Sequence, residues 1–152
     1  MVRIIAIDPG KNGAIAVRTD NDVTVTKMPE TPKDLYDYLH ECVVLSSRDK
    51  VPIVAYLEQV SAMPNNGAKS MFTFGNGFGH IQMALIALGV RTIEVRPQKW
   101  EKALSLTDSK IEKAEHKRRL KEKAQRLFPD IKVTAVNQDA LLISEYAYIQ
   151  EK

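Results

Sequence analysis

Cysteine is almost missing from this sequence: Cys42 stands alone among 152 residues. One thiol closes no internal disulfide and builds no thiolate metal site, so Cys42 is expected to pack as a small apolar residue. Long hydrophobic runs are missing too. None approaches the ~20 residues that a membrane-crossing helix needs, and the first residues open directly into a strand pattern rather than a leader. A soluble, cytoplasmic protein with no membrane partner is expected. There is no internal repeat and no low-complexity tract. The net charge is only +3, so the total says little about nucleic acid and the distribution of charge matters more. With 44% hydrophobic and 27% charged residues, the chain suits one globular domain, 1–152, with a core of its own.

What is present begins with Val2 to Ile7, an apolar run rich in β-branched residues that stops at a single carboxylate, Asp8. The chain then turns through Pro9, Gly10, Asn12 and Gly13 and resumes as a second β-prone run to Val17, which reads as a hairpin. Asp8 either opens that turn through its side chain or, at the end of a buried central strand, holds a cation, because an unpaired buried carboxylate prefers to neutralise. Asp20-Asn21-Asp22 marks another turn, and Val23 to Met28 alternates as an edge-like strand. Three antiparallel strands therefore come first. Pro29 to Pro32 breaks the sheet, with Thr31 as an N-cap and Pro32 at the first helical position. Leu35, Tyr38, Leu39, Cys42 and Val43 share a face of this helix, which is expected to end near Ser46-Ser47. Val51 to Leu57 is a further strand, and it too finishes on an acid, Glu58.

Ser61 to Ser70 is a loop by composition. A long apolar helix follows from about Met71 to Leu88, stopped by Gly89. It is apolar on two flanks, through Phe74, Phe78, Ile81, Leu85 and Leu88 and through Met71, Met83, Ile86 and Ala87, and Gly75, Gly77 and Gly79 permit close backbone approach. Either full burial or a two-fold subunit interface accounts for that width. Thr92 to Val95 is a short strand, Arg96 to Trp100 opens a helical turn at Pro97, and Ser105 to Ser109 is a polar joint. Between Lys110 and Arg126, eight cations stand against three carboxylates, which leaves +5 in one helix and exceeds the charge of the whole chain. This is a solvated face or a phosphate-binding surface; Ile111, Ala114, Leu120, Ala124, Leu127 and Phe128 supply its apolar stripe. Pro129 ends it. After an extended passage, Ile131 to Val136, the last helix is expected to start at Asn137 as N-cap, with Asp139 in a first turn that favours a carboxylate.

Acids thus stand at the ends of the first and fourth strands and at the start of the final helix. The first strand is expected at the centre of the sheet with the fourth beside it, which makes Asp8 and Glu58 neighbours under Asp139. Three converging acids repel, raising at least one pKa unless a divalent cation lies between them. Oxygen-only ligation suits Mg²⁺ or Mn²⁺. Two such ions activate water and stabilise the leaving oxygen in phosphodiester cleavage.

The motifs Ile4-Ile5-Ala6-Ile7-Asp8-Pro9-Gly10, Leu57-Glu58-Gln59-Val60 and Asp139-Ala140-Leu141-Leu142-Ile143, in this order, resemble the RuvC-type Holliday junction resolvases of the ribonuclease H-like superfamily. Ser70 to Gly75, and Trp100 with Lys102, look most like the phage-encoded branch. The resemblance implies an α/β fold with a mixed five-stranded ribonuclease H-like sheet flanked by helices. It implies an Mg²⁺-dependent endodeoxyribonuclease, with Mn²⁺ able to substitute, in which Asp8, Glu58 and Asp139 bind the metal. Its partner would be branched DNA, Holliday junctions first and forks as well. It would work as a homodimer joined through the helix around 71–88, in a bacterial host's cytoplasm if phage-encoded. Lys117 matches a basic residue beside the family's active site; Lys117, Arg118 and Lys121 avoid the apolar stripe and face DNA, with Lys69, Lys99 and Lys102 as a further or alternative path.

The sequence departs from the family at two places. Val136 stands where another acid or a histidine usually precedes the final aspartate by three residues, leaving Asn137, Gln138 or water to complete the metal shell. Ser61 stands where cellular members carry an aromatic wedge, and Met63 or Phe72 either replaces it or packs. Two further classes follow: a branched-DNA-binding domain with weak or no cleavage, and another ribonuclease H-like nuclease acting on RNA hybrids or single strands.

Overall fold

A computed structural model describes residues 1–62, 65–108 and 110–152. Five strands form one sheet: β1 (Arg3–Asp8), β2 (Ala14–Thr19), β3 (Asp22–Lys27), β4 (Ile53–Glu58) and β5 (Arg91–Val95), in the order β3-β2-β1-β4-β5. The first three are antiparallel neighbours, and β4 and β5 add in parallel beside β1. The central strands read as unbroken apolar runs because both faces of the sheet are covered. On one face Ile5, Ile7, Ile15, Ala55 and Leu57 pack against α1 (Pro32–Asp49) and α2 (Ala68–Ala87), with Cys42 buried among them as a free thiol. On the other, Ile4, Ala6, Ala16, Val54 and Tyr56 meet α5 (Gln138–Glu151), α3 (Pro97–Ala103) and α4 (Lys113–Leu127). Among the described residues no helix is long and apolar enough to cross a membrane.

Helix ends differ from the sequence expectations for local reasons. Thr31 caps α1 as expected, its hydroxyl accepting from the Asp34 amide at 3.1 Å. The helix continues past Ser46-Ser47 to Asp49, because Arg3 hydrogen-bonds the buried Ser46 hydroxyl and Lys50 closes the end in a left-handed conformation at φ 56°. α2 begins at Ala68 rather than Met71. Ala68 and Lys69 are good helix formers behind Gly67, so their place in a polar stretch misled the boundary. α4 begins at Lys113 rather than Lys110, since the Asp108 carboxylate accepts from the Lys110 amide and makes a turn of that residue. Of its expected stripe, Leu120, Ala124 and Phe128 are buried and Leu127 partly so, but Ala114 is exposed. Asn137 does not cap α5 through its side chain; its Oδ1 accepts from the Thr134 amide at 2.8 Å instead.

α2 buries one flank only. Ile81, Ala84 and Leu85 face the sheet, while Phe72, Met83 and Ile86 are exposed at 77%, 59% and 70%. A side-chain carbon added at Gly75, Gly77 or Gly79 would meet nothing within 4 Å.

Candidate active site

β1 and β4 run parallel in direct register, Ile7 opposite Leu57, so their carboxyl ends deliver Asp8 and Glu58 side by side. The turn after Asp8 is built so that β2 returns tightly. Gly10 sits at φ 106°, and at Gly13 a Cβ would lie 2.0 Å from the Asp8 carbonyl oxygen, which leaves room for glycine alone. α5 packs across β1, β2 and β4 and starts at the same end of the sheet, placing Asp139 in its first turn. The three acids expected from the sequence therefore lie at the same end of the sheet, near enough for Asp8 to feel the charges of Asp139 and Glu58.

Their electrostatics follow. Burial pushes the Asp8 carboxyl from 3.8 up to about 8, with the charges of Asp139 and then Glu58 adding to it. Burial likewise raises Glu58 to about 7; the Trp100 indole, donating to its Oε2 at 2.7 Å, pulls the other way, and Asp139 and Glu101 push it further up. Asp139 is raised by burial against the Gln138 amide, whose Nε2 lies 3.4 Å from Oδ1, and against the charges of Lys117 and His116. Among the described residues no three His, Cys, Asp or Glu side chains close into a ready-made ion cage. The acids stand near one another without closing on a point. An all-carboxylate donor set under mutual repulsion is the chemistry that Mg²⁺ or Mn²⁺ relieves, so these residues fit such an ion.

Four neighbours were not assigned to the site by sequence reasoning. Trp100 is buried and fixes Glu58; as the only tryptophan, just after a helix-opening proline, it stands out in the sequence without showing its partner. Gln138, weighed only as a shell candidate, is buried beside Asp139. Glu101 and His116 hydrogen-bond across α3 and α4 at 3.1 Å; the charge of Glu101 acts on Glu58, and that of Asp139 acts on Glu101. Nothing in their local sequence marks them, because each lies on a different helix.

Of the expected DNA-facing cations, Lys69 lies in the first turn of α2, Lys99 and Lys102 on α3, and Lys117, Arg118 and Lys121 on α4, all exposed. Among the described residues Lys117 is the one of these six whose charge registers on an acid of the cleft, Asp139. Arg118 is held by Glu115 and Glu122 on its own helix. Val136 is 39% exposed. Phe72 does not pack, and Met63 lies outside the described residues.

No protein-family model and no curated protein matches the chain. Solved structures do. The chain is similar to T. thermophilus RuvC in complex with Holliday junction substrate, at 16% identity and a TM-score of 0.63, over 99% of this chain and 96% of that one. It is also similar to a Thermus thermophilus RuvC structure at 17% identity and a TM-score of 0.56, over 99% and 97%. The fold is RuvC-like, a mixed five-stranded sheet of fitting strand order flanked by helices.

Proposed function

We propose that residues 1–152 form one nuclease domain that resolves four-way DNA junctions, and other branched DNA such as forks, by divalent-cation-dependent phosphodiester hydrolysis, as paired nicks made by a homodimer. The observation that carries this reading is the meeting of Asp8, Glu58 and Asp139 at one end of a RuvC-like sheet. Asp8, Glu58 and Asp139 would hold Mg²⁺, or Mn²⁺ in its place. When bound, the metal supplies Lewis acidity at the phosphate and an acidified water at neutral pH.

The chain's own residues do the rest. Trp100 fixes the direction of the Glu58 carboxylate, Gln138 steadies Asp139, and Lys117 brings positive charge to the rim where a phosphate must approach a negative cleft. Lys121, Arg118, Lys99, Lys102 and Lys69 extend that positive surface. The exposed apolar flank of α2, with Phe72, Met83 and Ile86 around three uncluttered glycines, would join two copies so that two cuts fall symmetrically. The phage-encoded branch and the host cytoplasm rest on Ser70 to Gly75, Trp100 and Lys102 alone. A second reading, a junction-binding domain with weak cleavage, is favoured by Val136 standing exposed one turn before Asp139 with no charge to offer.

A gel assay with junction, fork and duplex DNA, in Mg²⁺ and in chelator, separates these readings. Paired nicks in the junction that vanish in chelator and in Asp8→Asn, with binding retained, are expected. Full cleavage by Asp8→Asn in Mg²⁺ would falsify the assignment of the acids, and tight binding without nicking by the wild type would select the second reading.

A further inference from the structure

α4 carries its charge on two flanks that differ in what holds it. Arg118 is committed to Glu115 and Glu122, two carboxylates of its own exposed face. His116, Arg119, Lys123 and Arg126 instead follow one another at helical spacings of three, four and three residues, which places them in one stripe. At its upper end His116 touches Glu101 and acts on Asp139, so the stripe starts at the rim of the acid cleft. At its lower end it lines a pocket of about 290 Å³ floored by Leu104 and Leu106, the residues that follow α3.

The charge in that pocket is positive and largely uncommitted. Arg119 has only the longer ion pairs with Asp108 at 3.5 Å and Glu115 at 3.7 Å. Among the described residues Lys123 and Arg126 have no ion pair. The one acid in the lining, Glu122, is held by Arg118 from outside. A recess with apolar floor and three cations on its wall, beside a hydroxyl from Ser105, suits an anion with several acceptor oxygens.

We propose that this pocket receives one backbone phosphate of the DNA strand that leaves the acid cleft. The proposal rests on the nuclease reading and adds a site to it. Along α4 the distance from His116 to Lys123 is about 10 Å and to Arg126 about 15 Å at 1.5 Å per residue, which corresponds to roughly three to four base-pair steps of rise along a duplex axis. The pocket therefore holds the strand at a fixed distance from the cleft and sets which phosphate is presented there.

The test is the affinity of a fluorescent four-way junction against salt, in chelator, for the full-length wild type, the double variant Lys123→Ala/Arg126→Ala and, as a control, the single variant Lys33→Ala on α1 at the other face of the sheet, with melting curves as folding controls. The double variant is expected to bind about tenfold more weakly at moderate salt, with a log–log slope shallower by about one; Lys33→Ala is expected to keep the wild-type slope. Equal slopes for wild type and double variant overturn the proposal while leaving the nuclease reading intact. A wild type that binds no junction overturns both. Inorganic phosphate provides the remaining arm: if it raises the wild-type melting temperature but the DNA slopes stay equal, the pocket takes small anions rather than DNA, and the proposal falls.

Discussion

Replacing Asp8 by Asn tests the cleft without reference to catalysis. Burial and the facing charges of Asp139 and Glu58 move the Asp8 carboxyl from 3.8 to about 8. Below the ordinary value, folded and unfolded chains both carry the proton. As the pH climbs towards about 8 the unfolded chain releases it and the folded chain keeps it, so stability is lost through that window and is level above it. Between pH 5 and pH 9 this spans about three pH units, worth roughly 4 kcal/mol at about 1.36 kcal/mol each. Asn keeps the shape and carries no titration, so the variant should be spared that loss. The assay is thermal melting in chelator at both pH values. The variant's advantage should grow from pH 5 to pH 9 by roughly 10 °C, at about 2–4 °C per kcal/mol for a chain of this size. Millimolar Mn²⁺ should then reverse the order at pH 9, because binding to the folded wild type stabilises it and the variant lacks a ligand. An advantage that stays flat between the two pH values, or shrinks, would refute the account of Asp8 as a buried acid facing other acids.

Trp100→Phe keeps an aromatic ring but deprives the buried Glu58 carboxylate of its donor; a loss of about 1–3 kcal/mol is expected by melting, together with a cleavage profile displaced to higher pH, since the indole bond is what holds Glu58 down. A variant with wild-type stability and pH profile would mean that Glu58 is oriented by something else. Sedimentation at micromolar concentration should give about twice the 17.1 kDa chain mass, and Ile86→Glu on the exposed flank of α2 should return it to the monomer; paired nicking by a monomer would exclude the α2 interface. Lys117→Ala should reduce cleavage of bound junction more than it reduces affinity, measured by single-turnover rates, because its charge reaches Asp139; an equal effect on both would place it among ordinary phosphate contacts.

The sheet was legible because its signals are local. Uninterrupted apolar runs from Ile4 to Ile7 and from Ile53 to Leu57 mark strands covered on both faces, and the turn residues between Asp8 and Ala14 fix the hairpin that places β1 at the centre. Helix ends were less legible, since they depend on single contacts from far along the chain. Arg3 reaching Ser46 lengthens α1, and Thr134 engaging Asn137 removes an expected cap. Composition marks Ala68 to Ser70 as loop, yet propensity and the Gly67 carbonyl, which accepts from the Met71 amide at 3.1 Å, make them helix.

The acids of the cleft were legible for a different reason than their surroundings. A carboxylate that ends an apolar run breaks the pattern of its strand, so Asp8 and Glu58 stand out against their own neighbours. Glu101 and His116 do not, because a titratable residue on a polar helix is unremarkable until the helix is docked. Docking is decided by Trp100: its side chain is 1% exposed, and its indole must find an acceptor once buried. The acceptor is Glu58, so the contact that anchors α3 to the sheet also orients a carboxylate of the cleft. α4 then follows α3 through the Leu104–Leu106 joint and packs against α5 through Leu120 and Ala124, bringing His116 and Lys117 to Asp139. The positive helix is thereby registered on the negative cleft by apolar contacts rather than by attraction between them. Salt should consequently weaken DNA binding steeply while leaving the placement of α4 nearly unchanged. Amide exchange in α4 measured at low and high salt tests this: protection that collapses with salt would mean that electrostatic attraction, and not Leu120 and Ala124, holds the helix in place.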